Sequence, residues 1–149
     1  MSWSDCITST GEVYDQSILL KHIRGHWRNE EYKKRETLKV FCLNIENELI
    51  GMYLVRGAAD TIRKPPLSVL RETLKLFLSD GMVKLIVVHN HPVGWFWPER
   101  LCVWPSPDDI RYTMHLAELC IIAKVKLVAS IIITENKSTF IKYTDDENI

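Results

Sequence analysis

The segment that most limits what this chain can become is Val83–His89, VKLIVVH, a short and almost wholly apolar run with helical patterns on both sides. A strand without polar alternation has no face to give to water, so it belongs in the middle of a covered sheet. Before it, Leu67, Leu70, Leu74, Phe77 and Leu78 fall on one stripe of a helix over Leu67–Ser79, with Gly81 just past its end as a cap. After it, a helix is expected from Pro107 to about Lys124, with Ser106 as N-cap and Ile110, Met114, Ala117 and Ile121 facing inward. Thr37–Asn44 and Leu49–Val55 read as a hairpin turning at Ile45–Glu48, and Lys126–Thr134 and Thr139–Tyr143 as two more strands around a turn. Ile18, Leu19, Ile23 and Trp27 mark an amphipathic helix over Gln16–Lys34, broken near Gly25. The sum is a single α/β domain with a mixed central β-sheet flanked by helices.

Composition agrees and removes several function classes. The 149 residues suffice for one core and not for two. With 19 basic and 19 acidic residues the net charge is zero, which argues against a strongly basic nucleic-acid coat. No apolar run approaches the roughly 20 residues of a membrane helix. Met1–Asp15 contains Asp5 and Glu12 and no signal-like stretch, so the expected location is cytoplasmic. The four cysteines, Cys6, Cys42, Cys102 and Cys120, form no CxxC pair and are expected as buried free thiols. Trp95, Phe96, Trp97 and Trp104 crowd into the loop that follows the buried strand.

The chemistry concentrates where that strand ends. His89 and His91 stand at i and i+2, so extended backbone through Asn90 projects both imidazoles from one face, an arrangement that suits a metal. A catalytic zinc site takes three protein ligands and leaves one position open, and Asp109 is the natural third. Pro105-Ser106-Pro107-Asp108-Asp109 also satisfies the chemistry of a helix N-cap, which by itself accounts for these residue types. Paired with HxH, the same turn delivers Asp109 to the metal and Ser106 to the water beside it.

His89-Asn90-His91-Pro92-Val93-Gly94, then Pro105-Ser106-Pro107-Asp108-Asp109-Ile110 with Thr113, resembles the HNHPxG…PSxxDI…T signature of RadC-type proteins in the JAMM (MPN/JAB) zinc metallopeptidase group. The segment from Arg35 to Asn44 resembles the RadC stretch that opens on a glutamate, here Glu36. The resemblance covers about Glu36 to Tyr143 and implies a JAB/MPN-type, cytidine-deaminase-like fold. It implies Zn2+ held by His89, His91 and Asp109, with Glu36 as general base and Ser106 as donor to the developing oxyanion. Thr113 is then either a support for the ligands or a plain helix residue. The implied substrate is a peptide or protein, including one joined to a ubiquitin-like modifier by an isopeptide bond.

Two departures accompany the match. The stretch 92–105 is longer than the family usually carries, and it holds Trp95, Phe96, Trp97 and Trp104, expected as a substrate-gripping flap. A satellite aromatic cluster or an oligomer contact remain the alternatives. Ala129-Ser130 occupies positions where RadC-type chains usually have Asp-His. Residues 1–35 are expected as a helical lead-in, too short for the helix-hairpin-helix module of RadC proteins. Residues 36–144 are expected to be the RadC-like metallopeptidase domain that the resemblance implies, and 145–149 a polar tail. The alternative function is a nucleic-acid-binding, repair-associated protein, suggested by the RadC description and by six Lys/Arg in Lys21–Arg35. A deaminase-type zinc site is disfavoured, because it needs HxE and PCxxC.

Overall fold

The computed structural model describes residues 2–28, 31–32, 36–56, 67–91 and 104–142. Its sheet has five strands: β1 (Thr37–Leu43), β2 (Leu49–Arg56), β3 (Lys84–Asn90), β4 (Lys126–Ile133) and β5 (Ser138–Phe140). Their spatial order is β2-β1-β3-β4-β5, with β3 and β4 parallel and the other pairs antiparallel. The apolar run is the middle strand, and both β3 and its neighbour β1 are buried at every position. The sheet is therefore mixed, and the parallel pair is joined by the helix that its connection requires.

Helices α1 (Gln16–Arg24), α2 (Leu67–Ser79) and α3 (Pro107–Ala123) divide between the two faces. Strand alternation sorts the core accordingly. Leu38, Val40, Leu85 and Val87 meet Leu70 and Leu74 of α2 and Leu116 and Cys120 of α3. Phe41, Leu43, Ile86 and Val88 point the other way, into a layer made by Trp3, Ile7, Leu19, Ile23 and Trp27. The N-terminal segment is thus a structural layer of the domain. Burying a Leu, Ile or Phe side chain in this way contributes about 1.5–3 kcal/mol each, which is why both layers hold.

Local signals set the element ends. Asp15 caps α1 by accepting the Ser17 N–H at 2.8 Å. The helix stops at Arg24, short of the Lys34 expected from the pattern, because Gly25 ends it and the following Trp27 and Tyr32 are drawn into the core. Gly81 takes φ +93° after α2, a conformation that favours glycine.

The inward face of α3 corrects the sequence expectation. Asp109, Thr113, Leu116 and Cys120 are the buried positions, whereas Ile121 is 76% exposed and Ile110 lies at the surface. An apolar template aligns the helix on its isoleucines. The real face begins on two polar residues that bonding partners draw inward, which turns the helix by one position.

Candidate metal centre

The site forms where β1, β3 and α3 meet. β3 stays extended through Asn90, and the His91 N–H continues the ladder to the Ile133 carbonyl at 3.3 Å. His89 and His91 consequently share the face that α2 and α3 cover. Leu38 of β1 pairs with His89, so the antiparallel register carries Glu36, just before the strand, alongside His91. The Glu36 carboxylate lies 3.6 Å from His91 Nε2. All three side chains offer a ligand atom within 4.8 Å of the others, a Glu/His/His group that could hold a metal ion.

Asp109 is placed by the start of α3. Ser106 Oγ accepts the Asp109 N–H at 3.0 Å and Asp109 Oδ2 accepts the Ser106 N–H at 2.9 Å, a complete capping box. The box fixes the carboxylate, and Pro107 at the first helical position fixes the backbone around it. Asp109 then reaches His89 Nε2 with Oδ1 at 3.3 Å and His91 Nε2 with Oδ2 at 3.2 Å, while the two imidazole nitrogens stand 3.1 Å apart. Both His89 and Asp109 are 3% exposed.

These spacings fit one ion. Donors bound at about 2.0–2.2 Å around a tetrahedral centre lie about 3.3–3.6 Å from one another, close to the 3.1 Å between the two imidazole nitrogens and to the 3.2–3.3 Å at which each imidazole meets one of the two Asp109 oxygens. Two imidazoles and a carboxylate are also the donor set that a catalytic zinc site draws on. The capping role of Asp109 and its approach to the two imidazoles are therefore compatible. The cap aims the side chain that the imidazoles meet.

Thr113 lies one turn after Asp109, and its Oγ1 is 2.9 Å from Ser130 Oγ, with both residues buried. Ser130, one of the two departures from the family pattern, thus supports the first turns of α3 from β4. Trp104 precedes the N-cap and is 68% exposed. Trp95, Phe96, Trp97 and the tail 145–149 lie outside the described residues. Sequence reasoning missed Asn90, which is fully buried, and Lys39, whose ammonium contacts Glu31 Oε1 at 3.2 Å and sits 4.3 Å from the centre of the Trp27 ring. The signal for Asn90 was present, since HxH spacing sends its middle residue to the opposite face.

A mixed α/β sheet with a metal-capable Glu/His/His group at the end of its central strand defines a JAB-type domain. The chain belongs to the RadC-like JAB domain family, whose model matches residues 15–145 and so includes α1. Among similar curated proteins, a UPF0758 protein of Carboxydothermus hydrogenoformans is 33% identical over 107 residues, 71% of this chain and 42% of that protein. One from Clostridium beijerinckii is 34% identical over 109 residues, 72% of this chain and 43% of that protein. UPF0758 protein NMC1174 of Neisseria meningitidis is 34% identical over 123 residues, 80% of this chain and 48% of that protein. The chain spans less than half the length of these relatives. Among the described residues no helix is long and apolar enough to cross a membrane.

Proposed function

We propose that the protein is a zinc-dependent hydrolase of the JAMM type that cuts a peptide or isopeptide bond, including one to the tail of a ubiquitin-like modifier. The observation that carries this reading is the spacing of the His89, His91 and Asp109 donor atoms near one tetrahedral edge, with the Glu36 carboxylate beside them. When bound, zinc supplies a Lewis acid that brings the pKa of water from about 15.7 towards ~7. His89, His91 and Asp109 hold the ion. Glu36 takes the proton of the attacking water and returns it to the leaving amine, a role that typically contributes 10²–10⁴-fold. The Ser106 hydroxyl spends a lone pair on the Asp109 N–H and keeps its own O–H to donate to the carbonyl oxygen as charge develops there.

The buried free thiols Cys6, Cys42 and Cys120 support a reducing, cytoplasmic setting. A nucleic-acid partner is the weaker proposal. Arg24, from the basic stretch, donates to the Thr134 and Lys137 carbonyls at 3.3 and 2.8 Å, and Lys39 is buried against Glu31.

Metal analysis of protein purified without added zinc tests the reading. Stoichiometric zinc is expected in the wild type and in Glu36→Ala, and none in His89→Ala or Asp109→Ala. Glu36→Ala should also lose about 10²–10⁴-fold in cleavage of a ubiquitin-like modifier bearing a fluorogenic C-terminal amide. Wild-type protein without stoichiometric metal would falsify the proposal.

A further inference from the structure

The alternation that aims His89 and His91 at the helix face aims Asn90 at the N-terminal layer, where its side chain is fully buried. Its Oδ1 accepts the Thr37 backbone N–H at 2.8 Å and the Trp27 indole N–H at 3.4 Å. Its Nδ2 donates to the Glu31 carbonyl at 2.9 Å. Two donors converge on the oxygen and an acceptor meets the nitrogen, so the bonding pattern itself fixes which end of the amide points where.

The Thr37 N–H belongs to the peptide unit that joins Glu36 to Thr37. That unit is planar, so holding its N–H fixes the orientation of the Glu36 carbonyl and the direction in which Glu36 leaves β1. Glu36 sits in front of the strand, beyond the first cross-strand pair of Leu38 with His89. A side chain so placed keeps its carboxylate 3.6 Å from His91 Nε2 only if the backbone beneath it is held. One strand residue thus grips the segment that carries Glu36 from behind, while its two sequence neighbours face the side on which an ion would be held.

We infer that Asn90 is a positioning residue that sets the Glu36 carboxylate over the metal-binding face through the Thr37 peptide, and that it couples this placement to the N-terminal segment carrying Trp27 and Glu31. The inference rests on the proposed reading of the site. It extends that reading by making the N-terminal layer part of the catalytic apparatus.

The test is a cycle of four proteins, wild type, Asn90→Ala, Glu36→Gln and the double variant, each titrated with cobalt(II) and followed by its visible absorption. Because groups that orient a metal site typically change affinity 10–100-fold, Asn90→Ala is expected to weaken cobalt binding about tenfold and alter the band when Glu36 is present. In the Glu36→Gln background the same substitution should change almost nothing, an outcome that a merely structural role does not produce. Asn90→Asp keeps the accepting oxygen and, once burial against the Glu31 carbonyl holds its carboxyl protonated so that the O–H donates there, should recover most of the affinity. It also carries the test if the alanine variant does not fold. Hydrogen exchange at the Thr37 amide should quicken in Asn90→Ala, with Val40 still protected. Equal losses in both Glu36 backgrounds, or no recovery in Asn90→Asp, overturn the inference and leave the metal reading standing. A wild type that binds no cobalt overturns both.

Discussion

Consecutive residues at the end of β3 serve opposite purposes on the two faces of the sheet. On the helix face, His89 and His91 converge with Asp109 and Glu36, so donor atoms of ionisable groups crowd together at 3.1–3.6 Å. On the N-terminal face, the neutral amide of Asn90 meets complementary partners at 2.8–3.4 Å. The second arrangement is complete in itself, because each end of the amide meets a group of the opposite kind. The first gathers lone pairs around a common point and gains most when a cation joins them. Placing the two back to back lets the fold hold the metal-capable group from behind through neutral hydrogen bonds.

If that contrast holds, the largest effect comes from separating the ion from the fold. At free zinc a thousandfold above Kd, the wild type should gain about 4 kcal/mol of stability over its chelated form, and Asp109→Ala should gain nothing. Without zinc, Asp109→Ala should lose only about 1 kcal/mol, since the capping box is broken while the N-terminal face stays intact. Urea unfolding with and without chelator measures both, and a wild-type midpoint indifferent to chelator breaks the comparison.

A smaller effect is expected one turn further along α3. Thr113→Val strands the buried Ser130 hydroxyl at a cost of about 1–3 kcal/mol, and Ser130→Ala in the same chain should restore part of it. Zinc content should not change in either variant. Loss of zinc in Thr113→Val would move the Thr113–Ser130 pair from support of the helix to control of the ligands. Ser106→Ala should cost about 1 kcal/mol as a lost cap and keep zinc, yet lower turnover about 100-fold if its hydroxyl donates to the oxyanion. Stability and turnover that fell together would reduce it to a cap.

The apolar run of β3, the hairpin and the boundaries of α2 were legible because hydrophobic burial wrote them directly into the residue pattern. The HxH pair was legible for the same reason, since strand alternation converts spacing into direction. The phase of α3 was not. Asp109 and Thr113 occupy buried positions that a hydrophobic template assigns to apolar residues, so Ile110 and Ile121 drew the reading to the wrong side. The helix misled where it carries the site, because there polar partners on β3 and β4, far away in sequence, determine what is buried. The roles of Asn90 and Lys39 are illegible for a related reason: their partners at Trp27, Glu31 and Thr37 are set by the folding of the N-terminal layer and leave no periodic trace.

The smallest effect separates the faces by pH. In the N-terminal layer His22 packs edge-on against Trp3 at 4.3 Å and lies 5.4 Å from His26, which itself stacks on Trp3 and approaches Lys39. Burial first, then a neighbouring positive charge, holds both imidazoles below the ordinary 6.5. For His22 that charge is His26, with the chain's N-terminus adding to it and Asp5 opposing it. For His26 it is Lys39. A histidine with a depressed folded pKa binds its proton more readily in the unfolded chain, so stability is present above pH 6.5 and falls as pH drops through the folded value. Chelated protein should therefore unfold at lower urea at pH 5 than at pH 7. His22→Phe/His26→Phe, which keeps the aromatic packing, should make that loss shallower by a modest amount, since both rings retain contact with solvent. An unchanged slope in the double variant would show that this histidine pair does not set the acid sensitivity of the N-terminal layer.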